Sequence, residues 1–201
     1  MNHFTILPVL LGARENPMEC ADQVNEIYLP KLETYQLLTF LAYCFEYPWR
    51  RPSREFLHTT QAIIQMELNA IVDIPPLEEQ QEDYTRLFIN HIPHTLAPPY
   101  EAFYVENDQG VLSRLNYWYS RLGYVCGRER CDHIVAELQF LALLAEAGQK
   151  KMAYEFVEEH LYQWVVPFTE KIISNANTVY FSLMGKLAAH LIERIRREEL
   201  L

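Results

Sequence analysis

The sequence predicts an all-α protein built around one hydrophobic core, and three observations support this fold class. Apolar residues recur at a spacing close to 3.6 along most of the chain, and no stretch alternates with period two for long. Only six of the 201 residues are glycine, the residue on which tight hairpin turns depend. The prolines, which end helices, fall between the apolar stretches. We therefore expect a single-domain bundle of about seven or eight helices.

Proline clusters separate three predicted helices in the first half of the chain. The apolar spacing places these helices at about 31–46, 53–72 and 77–91. Ser53 directly precedes the second helix and is typical of an N-cap residue. The breaks between and after the helices contain Pro48 and Pro52, Pro75 and Pro76, and Pro93, Pro98 and Pro99.

The second half has no proline between residues 100 and 166, so longer helices are expected there. Gly148 is a good terminator for the fifth helix. A helix is expected to begin near Pro167, because proline is favoured in the first turn. The predicted helices of this half lie at about 111–122, 134–148, 152–161, 167–172 and 180–195.

The chain divides into an N-terminal arm, residues 1–26, and an all-α domain, residues 27–201. The apolar run 4–13 (FTILPVLLGA) has the length of a signal-peptide apolar region. No Lys or Arg precedes it and Pro8 interrupts it, so we expect an arm that docks on the body of the protein. No run approaches the roughly 20 apolar residues that span a bilayer.

Charge and cysteine content restrict the partners and the compartment. The formal net charge is −10, which would repel nucleic-acid phosphates and anionic lipids, so a charged partner should be basic. The four cysteines, Cys20, Cys44, Cys126 and Cys131, form no dense framework, and reduced thiols in the cytoplasm are expected.

The first candidate site is the loop Pro98-Pro99-Tyr100-Glu101. Two prolines fix an extended backbone, and the loop then presents an aromatic ring and a carboxylate. Just before it, Tyr84, Leu87 and Phe88 share one helix face, a spacing typical of core packing.

The second candidate site opens the fifth predicted helix. Asp132 has the residue type and position of an N-cap, and its charge would favour the positive end of the helix dipole. His133 follows in the first turn, with Glu137 one turn later as a partner for the imidazole. A purely structural role, a cap plus a hydrogen-bonded histidine, accounts equally well for this spacing.

Metal and catalytic motifs are weak. Cys126-x4-Cys131-x-His133 and His91-x2-His94 contain metal-ligand atoms but lack the C-x2-C pairs of a structural zinc site. No nucleophile elbow, phosphate loop or H-E-x-x-H motif occurs in the chain. We expect no bound metal, no cofactor and no enzymatic activity.

Four segments of the chain form an ordered pattern. They are Tyr84-x-x-Leu87-Phe88, Pro98-Pro99-Tyr100-Glu101, Asp132-His133-Ile134-x-x-Glu137-Leu138-x-Phe140-Leu141 and His160-Leu161-x-x-Trp164-x-x-x-Phe168. Each segment alone is weak, but their order and spacing are fairly specific. Together they resemble the TorD/DmsD/NarJ family of molybdoenzyme chaperones, over roughly residues 30–190.

The resemblance implies a TorD-like, non-catalytic cytoplasmic chaperone. Such a protein binds the twin-arginine signal peptide of a molybdopterin oxidoreductase and holds the apoenzyme until its cofactor is inserted. It would act as a monomer or a homodimer, including a domain-swapped one. The signal peptide is basic and then apolar, so it needs acidic acceptors beside aromatic rings. The expected peptide-binding residues are Phe88, Pro98, Pro99, Tyr100, Glu101, Asp132, His133 and Glu137, with Trp118 as a further aromatic candidate.

Two alternatives from other classes stay open. One is an all-α scaffold or regulatory subunit that has no affinity for signal peptides. The other is a metal-dependent hydrolase that uses His91, His94, Asp132 and His133.

Overall fold

The computed structural model describes residues 32–90, 94–105, 110–126 and 130–200. The predicted N-terminal arm and its docking lie outside these residues, as does His91. Within the described residues the chain forms α-helices and no β-strand, which confirms the all-α prediction. The helices are α1 (Thr34–Cys44), α2 (Arg54–Leu68), α3 (Leu77–Tyr84), α4 (Val111–Ser120), α5 (Ile134–Glu146), α6 (Lys150–Phe156), α7 (Tyr162–Asn175) and α8 (Val179–Arg196).

Two π-helical turns join or extend these helices. Thr85–Ile89 continues α3, and Val157–Leu161 connects α6 directly to α7. The described residues therefore form seven continuous helical segments, in agreement with the predicted seven or eight. Turns of this type are uncommon and often lie at functional sites.

Local sequence signals explain several helix ends. Ser53 caps α2, because its hydroxyl oxygen accepts a hydrogen bond from the Phe56 amide at 3.1 Å, as predicted. Gly148 follows α5 with φ = 65°, a left-handed conformation that glycine adopts without steric cost. At the end of α2 the same conformation is taken by Asn69, with φ = 48°.

The predicted helix start near Pro167 is wrong. Pro167 lies inside α7, which begins five residues earlier at Tyr162. A proline inside a helix costs about 3 kcal/mol, since it leaves the carbonyl four residues before it without a partner. That carbonyl belongs to Gln163, an exposed residue. Trp164 and Phe168 are fully buried on the same helix, and their burial offsets the loss.

The core is centred on α5, which packs against α1, while α7 packs against α8. Helix α5 is buried around most of its circumference, as expected for a helix with little amphipathic character. Its position carries one acidic side chain, Glu137, into the interior. None of the described helices is both long and apolar enough to cross a bilayer.

Candidate functional site

The loop before α4 and the start of α5 meet and form one junction, although 30 residues separate them. Tyr100 and His133 form an isolated antiparallel β-bridge. The Glu101 amide donates to the Asp132 carbonyl at 2.9 Å, and the Ile134 amide donates to the Pro99 carbonyl at 2.9 Å. The two segments singled out in the sequence therefore lie side by side.

The N-cap of α5 is His133, and the prediction that Asp132 caps this helix is wrong. The Val135 amide donates to Nδ1 of His133 at 3.1 Å. His133 is held extended by its bridge to Tyr100, so α5 begins at Ile134, and His133 takes the N-cap position in place of Asp132. The His133 ring packs edge-on against Tyr100, with ring centres 5.1 Å apart.

Asp132 pairs with an arginine instead of capping the helix. Nε and Nη2 of Arg130 donate to its two carboxylate oxygens at 3.0 and 2.7 Å. The Ala102 amide lies 3.3 Å from Oδ2. The Asp132 side chain has no exposed surface, whereas the Arg130 side chain is 39% exposed. The guanidinium is therefore the outer member of the pair and covers the carboxylate.

Two aromatic rings complete the environment of Arg130. Its guanidinium carbon lies 4.7 Å from the centre of the Tyr100 ring and 5.9 Å from that of Phe103. Phe103 ends the short 3-10 turn Glu101–Phe103 and is 60% exposed. The residue types and their contacts favour binding of a guanidinium group. The sequence reasoning missed both Arg130 and Phe103, although each lies within three residues of a predicted site residue.

Glu101 is buried beneath the junction and pairs with a histidine from the Val157–Leu161 turn. Nδ1 of His160 lies 2.9 and 3.1 Å from the two carboxylate oxygens of Glu101, and both side chains are buried. His160 was part of the family pattern but was not assigned to the site. A histidine 59 residues from its carboxylate gives no local sequence signal.

Glu137 is the third buried carboxyl group, and no cation accompanies it among the contacts the structure describes. Nε1 of Trp164 donates to its Oε2 at 3.2 Å. Burial raises the pKa of Glu137 well above its ordinary value, and the charges of Glu101 and Asp132 raise it further, while the bond from Trp164 opposes the shift. The interior around Glu137 therefore favours its neutral form over its ionised form.

Comparison with known proteins identifies the family. Residues 54–170, more than half of the chain, match the family model described as nitrate reductase delta subunit. The chain belongs to this family, the NarJ/TorD family. Its members are redox-enzyme maturation chaperones and not enzymes, which confirms the resemblance.

One curated protein and one solved structure are also similar to this chain. Chaperone protein TorD of Histophilus somni (strain 129Pt) is 36% identical over 45 residues, which cover 22% of this chain and 23% of that relative. The match thus spans less than a quarter of the relative's length. A solved structure described as a redox enzyme maturation protein from Archaeoglobus fulgidus is 22% identical, with a TM-score of 0.48, and covers 87% of this chain and 98% of that one.

Not every residue of the NarJ/TorD pattern lies at the junction. Phe88 is buried in a cluster of aromatic rings with Phe45, Phe168 and Phe181, so its ring is not presented to a peptide at the surface. Trp118 is also buried, and its Nε1 donates to Glu159 at 3.0 Å. Pro98 and Pro99 are buried too, so their rings are also not presented to a peptide at the surface.

A separate cavity of about 480 Å³ opens beside the α1–α2 connection. Aromatic side chains dominate its walls, among them Tyr47, Trp49 and Tyr180. None of the predicted peptide-binding residues lines it. Among the described residues, no three His, Cys, Asp or Glu side chains are grouped so that they could hold a metal ion.

Proposed function

We propose that this protein is a cytoplasmic chaperone for a molybdopterin oxidoreductase. It binds the twin-arginine signal peptide of the apoenzyme and holds that enzyme for cofactor insertion before export. The family supports the chaperone role in redox-enzyme maturation. The observation that carries the peptide assignment is the junction itself, where a buried carboxylate and two aromatic rings surround a guanidinium.

The exposed part of the junction suits the composition of a signal peptide. Phe103 and the partly exposed Tyr100 offer apolar surface to the apolar stretch of such a peptide. The net charge of −10 attracts its basic start and speeds the encounter.

The buried groups of the junction act by positioning. Glu101 and Glu137 have almost no exposed surface, so they do not touch a peptide that binds at the surface. The Glu101–His160 pair fixes the loop to the Val157–Leu161 turn, and the Tyr100–His133 bridge fixes it to α5. Together they hold Tyr100 and Asp132 in place for binding.

The test is calorimetric titration of a synthetic twin-arginine signal peptide into the full chain. We expect saturable binding that falls at least about tenfold when both peptide arginines are lysine, because lysine lacks the planar fork. Phe103→Ala should weaken binding by a similar factor. Tyr117→Ala is the matched control, since Tyr117 is 65% exposed on α4 and has no part in the junction.

The client class is tested by affinity capture from the source cells followed by mass spectrometry. A molybdopterin oxidoreductase with its signal peptide intact should be enriched, and the Phe103→Ala variant should recover less of it. Capture of the enzyme only in its mature form, or equal capture by both variants, would contradict the proposal.

An all-α scaffold without peptide affinity is the second candidate, and one observation favours it. Asp132 already has a cation in Arg130, so its charge needs no external partner. A scaffold of this kind would show no titration with any twin-arginine peptide. It would still form a stable complex with a folded subunit in the capture experiment.

A further inference from the structure

The surroundings of Arg130 match the shape and charge of a guanidinium group. Its fork meets both oxygens of the Asp132 carboxylate, at 3.0 and 2.7 Å. The rings of Tyr100 and Phe103 lie 4.7 and 5.9 Å from the guanidinium carbon. A bidentate carboxylate combined with aromatic surface is the usual means by which proteins recognise arginine side chains.

The arginine is also the part of this arrangement that can leave most easily. Arg130 precedes α5 and its side chain is 39% exposed, while the carboxylate it covers has no exposed surface. Tyr100, by contrast, is fixed by the bridge to His133. Asp132 is held through its carbonyl, which accepts from the Glu101 amide. The main chain at Tyr100 and Asp132 is therefore fixed, and the group that covers the carboxylate is a single side chain on the solvent side.

We propose that Asp132, Tyr100 and Phe103 form a guanidinium pocket that Arg130 fills in the free protein. An arginine side chain of the bound peptide takes its place. The identity of that peptide rests on the proposed function, whereas the pocket does not.

Such self-occupation has two physical consequences. The buried carboxylate of Asp132 always has a cation, so the free protein avoids the cost of an unpaired buried charge. An incoming ligand must also compete with Arg130, which lowers its apparent affinity by the fraction of molecules in which the pocket is open. A ligand with the same fork competes well. Lysine and other cations without a planar fork compete poorly with Arg130.

The pocket is tested first without any peptide. Arg130→Ala removes the occupant, and methylguanidinium then serves as the probe, with methylammonium at equal ionic strength as the control cation. We expect methylguanidinium alone to raise the melting temperature of Arg130→Ala. The wild type should show no such rise, because its pocket is filled. Arg121→Ala is the matched control variant, since Arg121 stacks on Trp118 at 4.8 Å outside the junction.

Displacement is tested with the twin-arginine signal peptide. Removing the competitor should tighten binding at least about tenfold in Arg130→Ala relative to the wild type and to Arg121→Ala. Arg130→Lys keeps the charge beside Asp132 and serves as the second variant if the alanine protein does not fold. It should bind the peptide more tightly than the wild type, because lysine fills the fork less well.

The outcomes separate this inference from the proposed function. If methylguanidinium stabilises Arg130→Ala but no variant binds the peptide, the pocket is supported and the signal-peptide function is overturned. If methylguanidinium has no specific effect on Arg130→Ala or Arg130→Lys, the pocket is overturned. Peptide affinity that falls in both variants overturns the displacement, since Arg130 would then be part of the binding surface.

Discussion

Two buried aspartates in this protein each pair with an arginine, and the rest of their surroundings differ. Asp83, at the end of α3, accepts hydrogen bonds from the amides of Asn177 and Thr178 and from the Thr178 hydroxyl, at 2.8 to 3.2 Å. Its arginine, Arg86, lies 2.7 Å away and also donates to the Asn175 carbonyl. Asp83 thus fastens the start of α8 to α3.

Asp132 has fewer ties to the main chain. One amide, that of Ala102, donates to its carboxylate, and most of its compensation comes from Arg130. The comparison shows that a buried acid–arginine pair alone does not reveal its role. A carboxylate bonded to several amides of another element is part of the fold. A carboxylate covered by one half-exposed side chain can exchange its partner.

The largest expected effect is at Asp83. Replacing it with Ala should lower the free energy of unfolding by about 3–5 kcal/mol, because it leaves Arg86 and the first amides before α8 without their acceptor. Urea denaturation followed by tryptophan fluorescence measures this loss. A loss of under about 1 kcal/mol would show that the start of α8 does not depend on Asp83.

The matched substitution Asp132→Asn should lower the free energy of unfolding less than Asp83→Asn does. Arg130 can turn into solvent when the charge is removed, so we expect a loss of about 1 kcal/mol in the free energy of unfolding. The same change should abolish the twin-arginine peptide binding, since the pocket loses its fork acceptor. Equal losses of stability for the two asparagine variants would remove the distinction between the two aspartates.

Glu137 sharpens the comparison because its described partner is Trp164 and not an arginine, and burial raises its pKa. Its pKa is raised in the folded state, so the unfolded chain loses this proton first as pH rises above about 4.5, and folding stability falls. Glu137→Gln keeps the shape of the side chain and removes its ionisable carboxyl group. We expect its melting temperature to exceed that of the wild type by about 3 °C or more at pH 8.

The sign of this effect provides its own control. Below about pH 4.5 the carboxyl group is protonated in both states, so the advantage of Glu137→Gln should disappear. A pH-independent difference between the two proteins would mean that the pKa of Glu137 is the same in the folded and unfolded states.

The smallest expected effect concerns the N-cap of α5. His133→Ala should cost about 1 kcal/mol of stability, because the Val135 amide loses its acceptor. His133→Asn should restore most of it, since asparagine is a strong N-cap residue. Thermal melts of both variants check this. Equal stabilities for the two would show that the cap contributes little and that the bridge to Tyr100 fixes the helix start.

The fold could be predicted from the sequence to the level of its helices. Apolar spacing and proline clusters located each described segment, because burial of one face dominates helix formation in a bundle. The start near Pro167 was wrong because a local proline rule was outweighed by the burial of Trp164 and Phe168. Neither π turn leaves a periodicity that differs enough from an α-helix to be recognised.

The site was only partly predictable, for a related reason. Tyr100 and His133 were both named as expected peptide-binding residues, and the structure places them side by side. His160 was missed because it lies 59 residues from Glu101, and their pairing is set by tertiary packing and not by spacing. Arg130 lies two residues from Asp132 and was missed because Asp132 was taken for a helix cap. Asp132 was mistaken for the N-cap because capping preferences consider only the local sequence. The bridge between Tyr100 and His133 determines where α5 begins.

The most direct test of the exchangeable pair is the side-chain Nε–H signal of Arg130 in the NMR spectrum of the ¹⁵N-labelled full chain. The signal is assigned by its absence in Arg130→Lys. In the free protein it should be protected from exchange with water, because Nε donates to Asp132 at 3.0 Å. Saturation with the unlabelled twin-arginine peptide should return it to rapid exchange. A protected Arg130 signal that persists in the peptide-saturated protein would contradict the account.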